Sequence, residues 1–210
     1  MPARPKAAAF ALHCAAMRKT VVTLVVLIVL WLGYIAWPFA ALFTVVRAAQ
    51  AADSATLAQH VNFPALRRSL AGQIIDTYAR LTGTRLDGAG ITVGVASSFA
   101  DPLLEKLVAP ATLAELLRTG WPKAVLAEAP PGIGGLDSTA LGNIWQLFLS
   151  SDYGIGEVRI TLPPGQPKEK QYRIDLALDQ WTWKLSGLLL PREIQERLAR
   201  ELMKQQGKLG

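Results

Sequence analysis

The longest apolar stretch of the chain runs from Val21 to Val46 without a charged residue. A helix rises about 1.5 Å per residue, so roughly 20 apolar residues can cross the hydrocarbon core of a bilayer. Val21–Leu32 shows no polar face, which argues against a core helix of a soluble domain. A cleaved secretory signal would be shorter, and the best small-residue cleavage site, Ala49–Ala51, lies too far beyond the stretch. Among these three alternatives we favour an uncleaved transmembrane anchor at residues 20–46.

The charges that flank this stretch predict its orientation. Basic residues are retained on the cytoplasmic side of a membrane, and only Arg47 closely follows the stretch. The four basic residues that precede it are Arg4, Lys6, Arg18 and Lys19. We therefore predict a cytoplasmic basic tail at residues 1–19 and an extracytoplasmic domain at 47–210. This arrangement is typical of a single-pass protein of the bacterial inner membrane, with its main domain in the periplasm. Met17, which opens the segment "MRKT", is a second candidate for the translation start.

Helical periodicity follows the anchor. Asp53 or Ser54 can cap a first short helix, and Pro64 suits the first position of a second. Gly83 is expected to end that second helix. A stripe of apolar side chains recurs along it at helical spacing, namely Leu66, Leu70, Ile74, Tyr78 and Leu81.

The middle of the chain is less regular. Residues 89–101 fit either a strand or a helix, and we favour a helix. Leu113, Leu116 and Leu117 then indicate a short helix, with Thr112 as its cap and Gly120 at its end. Pro and Gly are frequent in residues 121–143, which predicts a flexible excursion. Its "GIGG" segment lacks the Lys and Ser/Thr of a phosphate-binding loop, so we predict no nucleotide site.

Strict alternation of apolar and polar positions begins in the last third. It is clearest in "EVRITLP" and "YRIDLALD", and "NIWQLFLSSDYG" and "WTWKLSGLLLP" extend the series. We predict three or four antiparallel strands with one apolar face, followed by a helix that begins at Arg192. The predicted fold class is α+β: an N-terminal transmembrane helix, then a domain of several helices and a 3–4-stranded antiparallel sheet.

Charge and composition exclude several classes of function. The net charge is +6, but four of the 22 basic residues precede the anchor, which leaves 18 against 16 acidic residues beyond it. Because a nucleic-acid-binding domain concentrates positive charge on its folded part, nucleic acid is not an expected partner. Cys14 is the only cysteine, and His60 is the only histidine after the anchor. Cysteine nucleophiles, cysteine-ligated metals and multi-histidine metal sites are therefore excluded from the domain, and we predict no cofactor.

Three segments carry a resemblance to a known family. "GYIAWPFAAL" at the end of the anchor, "VNFPALRRSL" and "WTWKLSGLLLP" resemble the bacterial family known as domain of unknown function 2939, over about residues 17–192. The resemblance implies a membrane-anchored envelope protein and supplies no activity. Members of that family usually have Asp where this chain has Asn62, which argues against a required carboxylate at this position. Helices followed by a curved sheet are also similar to the cystatin or nuclear-transport-factor cone, which is an analogy of fold alone.

Tryptophan residues are the main candidates for a ligand site. Trp181 and Trp183 are two positions apart, which predicts that they share one face of a strand. They could form the floor of a pocket for an apolar or sugar-like ligand, with Tyr78 nearby. Alternatively, they cover the helix stripe that contains Leu70 and Tyr78, and we favour this core interpretation.

Ionisable residues offer weaker candidates. His60 could be a general base, but a helix-terminal histidine stabilised by the helix dipole is the simpler interpretation. Arg67 and Arg68 could contact anionic lipid, although solvation is simpler. The carboxylates Glu157, Asp175 and Asp179 could perform acid–base chemistry if buried together. We favour exposed cross-strand ion pairs with Arg159 and Arg173.

These observations favour a membrane-anchored protein whose domain binds a small apolar ligand or another envelope protein without catalysis. No catalytic residue and no metal site are predicted, and Tyr78, Trp181 and Trp183 are the candidate ligand-binding residues. A hydrolase or isomerase that uses carboxylates is the first alternative. A structural interaction module of an envelope complex is the second.

Overall fold

Helices precede an antiparallel sheet in this chain, as the sequence predicts for an α+β fold. The computed structural model describes residues 6–83, 101–126, 128, 135, 144–163 and 166–207. The helices are α1 (Lys6–Gln50), α2 (Ser54–His60), α3 (Phe63–Thr82), α4 (helical residues 101–108), α5 (Pro110–Thr119), α6 (Ile144–Leu149) and α7 (Arg192–Gly207). The strands are β1 (Ser151–Gly154), β2 (Glu157–Leu162), β3 (Tyr172–Asp179) and β4 (Thr182–Leu189), with a short 3-10 turn at Lys168–Lys170. Residues 89–100 and most of 121–143 lie outside the described part, so those two predictions remain predictions.

The long helix α1 contributes to two compact units, Met1–Ala40 and Ala41–Gly210. Pro38 lies inside this helix, which continues to Gln50. The segment Lys19–Gln50 is long and apolar enough to cross a membrane. In the second unit, the buried side chains of α1 recur at helical spacing, namely Leu42, Val45, Val46 and Ala49. The second unit therefore begins inside the segment predicted as the anchor, because the last turns of α1 belong to its core.

Capping explains where the next helices begin and end. Asp53 caps α2 through its carboxylate, which accepts from the backbone N–H groups of Ala55 and Thr56, as predicted. Gly83 ends α3 in the left-handed conformation, also as predicted. The predicted cap of α5 is wrong: the helix begins at Pro110, and Thr112 is buried within it. Proline at a helix start has no amide hydrogen to satisfy, so a side-chain cap is less needed there.

Four strands form an antiparallel sheet in the order β1-β2-β3-β4. One of its faces is apolar and packs into the core, with Val158, Ile160, Ile174, Leu176, Trp183 and Leu185 buried there. The sequence "NIWQLFLSSDYG", predicted as a strand, is α6 followed by the short β1. The strand prediction was wrong for the first half of this segment because Ile144, Leu147 and Phe148 have the spacing of one face of a helix.

The outer edge of β4 is covered by the junction of α2 and α3 and by α3 itself. Val61 forms a parallel bridge with Leu185, and the Asn62 N–H donates to the Leu185 carbonyl at 2.8 Å. Further along, the Gln73 amide donates to the Leu188 carbonyl at 2.7 Å and accepts from the Leu190 N–H at 2.9 Å. Because unpaired edge groups recruit other strands, these bonds close that edge to further pairing.

Buried polar groups extend from this edge into α7. The Gln195 amide donates to the Leu190 carbonyl at 2.7 Å, and its oxygen accepts from the Thr77 hydroxyl at 3.1 Å. Across the core, the buried Tyr172 hydroxyl donates to the carbonyl of Gly120, the left-handed residue that ends α5. Burial raises the pKa of Tyr172, so its hydroxyl keeps its proton and remains a donor. These bonds fix α3, α5 and α7 on the sheet.

The edge contact can be tested at Gln73. We expect Gln73→Met to lower the free energy of unfolding by at least about 2 kcal/mol, since each buried group left without its hydrogen bond costs about 1–3 kcal/mol. Denaturant unfolding of the full chain in detergent, followed by circular dichroism, measures the change. Asp76→Asn on the exposed side of the same helix is the matched control, expected within about 0.5 kcal/mol of the parent. Equal stability of the two variants would contradict the role of Gln73.

Candidate functional site

The two candidate tryptophans occupy different environments. Trp183 is 1% exposed and lies opposite Leu178 on the apolar face of the sheet. Trp181 is 81% exposed and lies in the β3–β4 turn. Their predicted common face is therefore wrong. The turn consists of Gln180 and Trp181, both with positive φ (49° and 62°), so β4 begins only at Thr182.

Tyr78 is half-buried on α3. The stripe predicted around it holds for Leu66, Leu70 and Ile74, which are buried, whereas Leu81 at the end of the helix is exposed. Neither Tyr78 nor either tryptophan lines the cleft described next. Their role in ligand binding stays a prediction.

A cleft of about 200 Å³ opens where β3 and β4 fall out of register. Asp175 pairs with Gly187 and Leu176 pairs with Leu185, which leaves Ser186 as an extra residue on β4. Such a bulge bends a strand and re-aims its side chains. The Ser186 hydroxyl donates to the Asp175 carbonyl at 3.0 Å and so holds the bulge. The polar side of the cleft is formed by Ser69, Glu157, Arg159, Asp175 and Ser186.

Gly187 permits the close approach of Asp175. A Cβ atom at position 187 would lie 2.8 Å from Asp175 Oδ2 and 3.1 Å from Asp175 Cβ. Both distances are shorter than ordinary van der Waals contact, so the carboxylate would have to move. The missing side chain at Gly187 therefore sets the position of the Asp175 carboxylate in the cleft.

Asp175 lies in an unusual electrostatic environment. Burial raises its pKa, and the charges of Arg173 and Arg159 oppose that rise. The Arg173 Nε atom lies 3.2 Å from Asp175 Oδ1, which is an ion-pair distance. The two atoms do not meet with hydrogen-bond geometry, however, and both are buried. A carboxyl group held in this way can accept a proton more readily than an exposed one.

Two of the three carboxylates pair with the predicted arginines, although not across strands, and the third pairs with a lysine. Arg173 pairs with Asp175, and Arg159 pairs with Glu157 at 3.4 Å, each along a single strand rather than across two. Asp179 pairs with Lys184 of β4 at 2.9 Å. Residues two apart on a strand lie on the same face of it, which brings Arg173 to Asp175 and Arg159 to Glu157.

His60 and Arg67 occupy the simpler of their predicted positions. The His60 Nδ1 atom lies 3.0 Å from the Thr56 carbonyl oxygen at the end of α2. His60 does not line the cleft. Arg67 forms an exposed ion pair with Asp101 at 2.8 Å. Among the residues that the structure describes, no three His, Cys, Asp or Glu side chains converge as metal ligands would.

The junction of α2 and α3 contains one of the three most specific segments of the resemblance, "VNFPALRRSL". Asn62 is the N-cap of α3, and its side-chain oxygen accepts from the Ala65 N–H at 3.1 Å. Pro64 follows within the first turn rather than at the predicted first position, which Phe63 occupies. Asn and Asp cap helices about equally well, so the Asn at this position keeps the local structure.

Residues 27–116 match the family model described as Protein of unknown function (DUF2939). The match confirms the predicted resemblance to DUF2939. It contains "GYIAWPFAAL" and "VNFPALRRSL" and ends within α5, so the cleft residues of the sheet and the "WTWKLSGLLLP" strand lie outside it. Comparison with curated proteins and with solved structures gave no match. The DUF2939 description names no activity.

Sequence reasoning missed the cleft itself. Its signal was Gly187 inside a strand pattern, because an isolated glycine in a strand is typical of a bulge. The burial of Asp175 had no such signal, since it depends on which residue of β4 lies opposite.

Two glycine variants test the close approach at Gly187. We expect Gly187→Ala to lower the free energy of unfolding by about 1–3 kcal/mol, because the new methyl group displaces the Asp175 carboxylate. Gly72→Ala in α3 is the matched control: its Cβ meets no atom within 4 Å. Alanine there should raise stability by about 0.5–1 kcal/mol. Denaturant unfolding measures both changes, and a shift of the same sign in both would contradict the packing argument.

The raised pKa of Asp175 predicts that the stability of the fold depends on pH. Because its folded pKa is raised above the ordinary 3.8, the folded protein binds this proton more tightly than the unfolded chain does. Its stabilising contribution is present at low pH and is lost as the pH rises through the folded pKa. We expect the stability of the parent relative to Asp175→Asn to fall as the pH rises above the ordinary pKa of 3.8 and through the raised folded pKa. Unfolding curves at constant ionic strength measure it, and a rise in relative stability would refute the raised pKa.

Proposed function

We propose that the protein is a single-pass protein of the bacterial inner membrane that displays its α+β domain in the periplasm and acts there by binding. The observation that carries this proposal is the exposure of the apolar side chains of α1 from Val21 to Leu32. Burying one such side chain contributes about 1.5–3 kcal/mol, so a helix with this surface in water would be strongly unfavourable. A bilayer removes that cost.

The length of the free apolar segment supports the same proposal. The second compact unit begins at Ala41, so Val21–Ala40 is the apolar part of α1 outside that unit, with Pro38 near its end buried. At about 1.5 Å per residue this segment measures roughly 30 Å, the thickness of a hydrocarbon core. Arg18 and Lys19 directly precede it and favour a cytoplasmic N-terminus.

Binding of a small apolar ligand or of another envelope protein is the proposed activity of the domain. Three buried polar residues of the described core are used internally: Gln73 and Gln195 donate to backbone carbonyls, and Thr77 donates to Gln195. These contacts support a structural role for the buried polar residues. An interaction module within an envelope complex is consistent with the same features.

A hydrolase or isomerase that uses carboxylates is the second candidate, favoured by the raised pKa of Asp175 beside the cleft. A general acid needs a pKa near the working pH, and burial moves Asp175 in that direction. The hydroxyls of Ser69 and Ser186 line the same cleft. The candidate base His60 does not, so this chemistry would depend on Asp175.

Reporter fusions test the proposed topology. Alkaline phosphatase requires disulfides that form outside the cytoplasm, so fused after Gly210 it should be active, while fused after Lys19 it should be inactive. The chain should also stay in the membrane pellet after alkaline carbonate extraction and retain α1 by mass spectrometry. Activity of only a cytoplasmic reporter at Gly210, or a mature chain that begins near Ala52, would refute the proposal.

A further inference from the structure

Two hairpin turns present apolar side chains at the same end of the sheet. Ile155 lies in the β1–β2 turn and Trp181 in the β3–β4 turn. Antiparallel strands alternate in direction, so the first and third turns of a four-stranded meander share one end. The Leu178 N–H donates to the Gly156 carbonyl at 2.8 Å, which joins the two hairpins near these turns. We call Ile155 and Trp181 the hairpin tips.

The side chains of both hairpin tips are almost fully exposed to solvent. Among the described residues of the second unit, Ile155 and Trp181 are the two most exposed large apolar side chains, and Leu149, before the other end of β1, is nearly as exposed as Trp181 (79% against 81%). An indole and a branched aliphatic side chain at neighbouring turns form a small apolar surface with nothing in the described chain over it. Single exposed apolar residues are common, so what distinguishes Ile155 and Trp181 is that both lie at the same end of the sheet.

The backbone at Trp181 adds a second observation. Gln180 and Trp181 have φ values of 49° and 62°. Two-residue hairpin turns of this kind usually use Asn and Gly, because the left-handed conformation costs an ordinary L-residue about 1–2 kcal/mol. A tryptophan that accepts this cost and gains no burial within its own chain indicates a function outside it.

Two of the three carboxylates nearest the hairpin tips are paired, while the exposed Asp152 has Arg159 opposite it on β2. Glu157 pairs with Arg159 at 3.4 Å, and Asp179 pairs with Lys184 at 2.9 Å. These are the carboxylates closest in sequence to Ile155 and Trp181. Pairing lowers the repulsion that acidic residues would otherwise exert on anionic lipid headgroups.

We propose that the hairpin tips insert into the headgroup region of the bilayer that holds α1, an inference that rests on the proposed membrane anchoring. Tryptophan prefers this region because its ring is apolar and its N–H is polar. The anchor keeps the domain at a high effective concentration near lipid, so a small contact is sufficient. A stable protein interface buries about 800 Å² per partner, whereas a large aromatic side chain buries only about 150–250 Å². Lipid therefore fits the size of the hairpin tips better than a protein partner does.

Site-directed spin labels on the full chain test the inference. With Cys14 replaced by alanine, single cysteines are introduced at Ile155, Trp181, Leu27 and Asp76, and each is labelled with a nitroxide. The chain is reconstituted into vesicles of phosphatidylethanolamine and phosphatidylglycerol. Power-saturation spectroscopy then compares collisions with oxygen, which enters the bilayer, and with a nickel chelate, which stays in water. Leu27 reports on the anchor, and the exposed Asp76 gives the reference for water.

The expected result is an oxygen-to-nickel collision ratio at Ile155 and Trp181 above that of Asp76 and shifted toward that of Leu27. A ratio at both tips equal to that of Asp76, with Leu27 in lipid, would overturn the inference and leave the anchor intact. An aqueous Leu27 would overturn the anchoring and the inference together. Protection of the tips in native membranes but not in vesicles would indicate a protein contact and also overturn it. Ile155→Cys leaves the Gln180–Trp181 turn unchanged, so it remains informative if Trp181→Cys does not fold.

Discussion

The hydrogen bonds that close the outer edge of β4 hold the folded unit together. Gln73 bonds to Leu188 across a sequence separation of 115 residues, and Asn62 bonds to Leu185 through its backbone. These contacts position α3 along the sheet, and α3 in turn packs against α7. Since a buried amide without its partner is costly, the position of the helix is specified by polar bonds as well as by its apolar stripe.

Local patterns predicted much of the fold. The alternation in "EVRITLP" and "YRIDLALD" fixed β2 and β3, because a strand with one buried face shows its period in the sequence. Asp53 and Gly83 marked helix ends for equally local reasons. The prediction of a strand at "NIWQLFLSSDYG" failed where a short apolar run suits both kinds of element. The burial of Leu42 was also hidden, because an apolar residue that packs in a core resembles one that faces lipid.

The cleft and the hairpin tips depend on register, which the sequence specifies only weakly. Trp181 and Trp183 differ in position because the turn includes Gln180 and Trp181, although a tryptophan is an unusual turn residue. Asp175 acquires its environment from Gly187 on the neighbouring strand, opposite a bulge of one residue. The first feature depends on where the turn ends, and the second on a register shift of one residue. Such a shift exchanges the two faces of a strand, so reasoning from composition could name the residues but could not place them.

The closed edge of β4 has a consequence for how the chain can be divided. The DUF2939 match ends within α5, yet its helices α2 and α3 cover a strand that lies beyond the matched range. Leu66, Leu70 and Ile74 are fully buried in the folded chain. A fragment cut at the limit of the match would leave this stripe in water and the partners of Gln73 missing. The segment that matches the family model is thus shorter than the unit that folds together, and truncation should follow the folding unit.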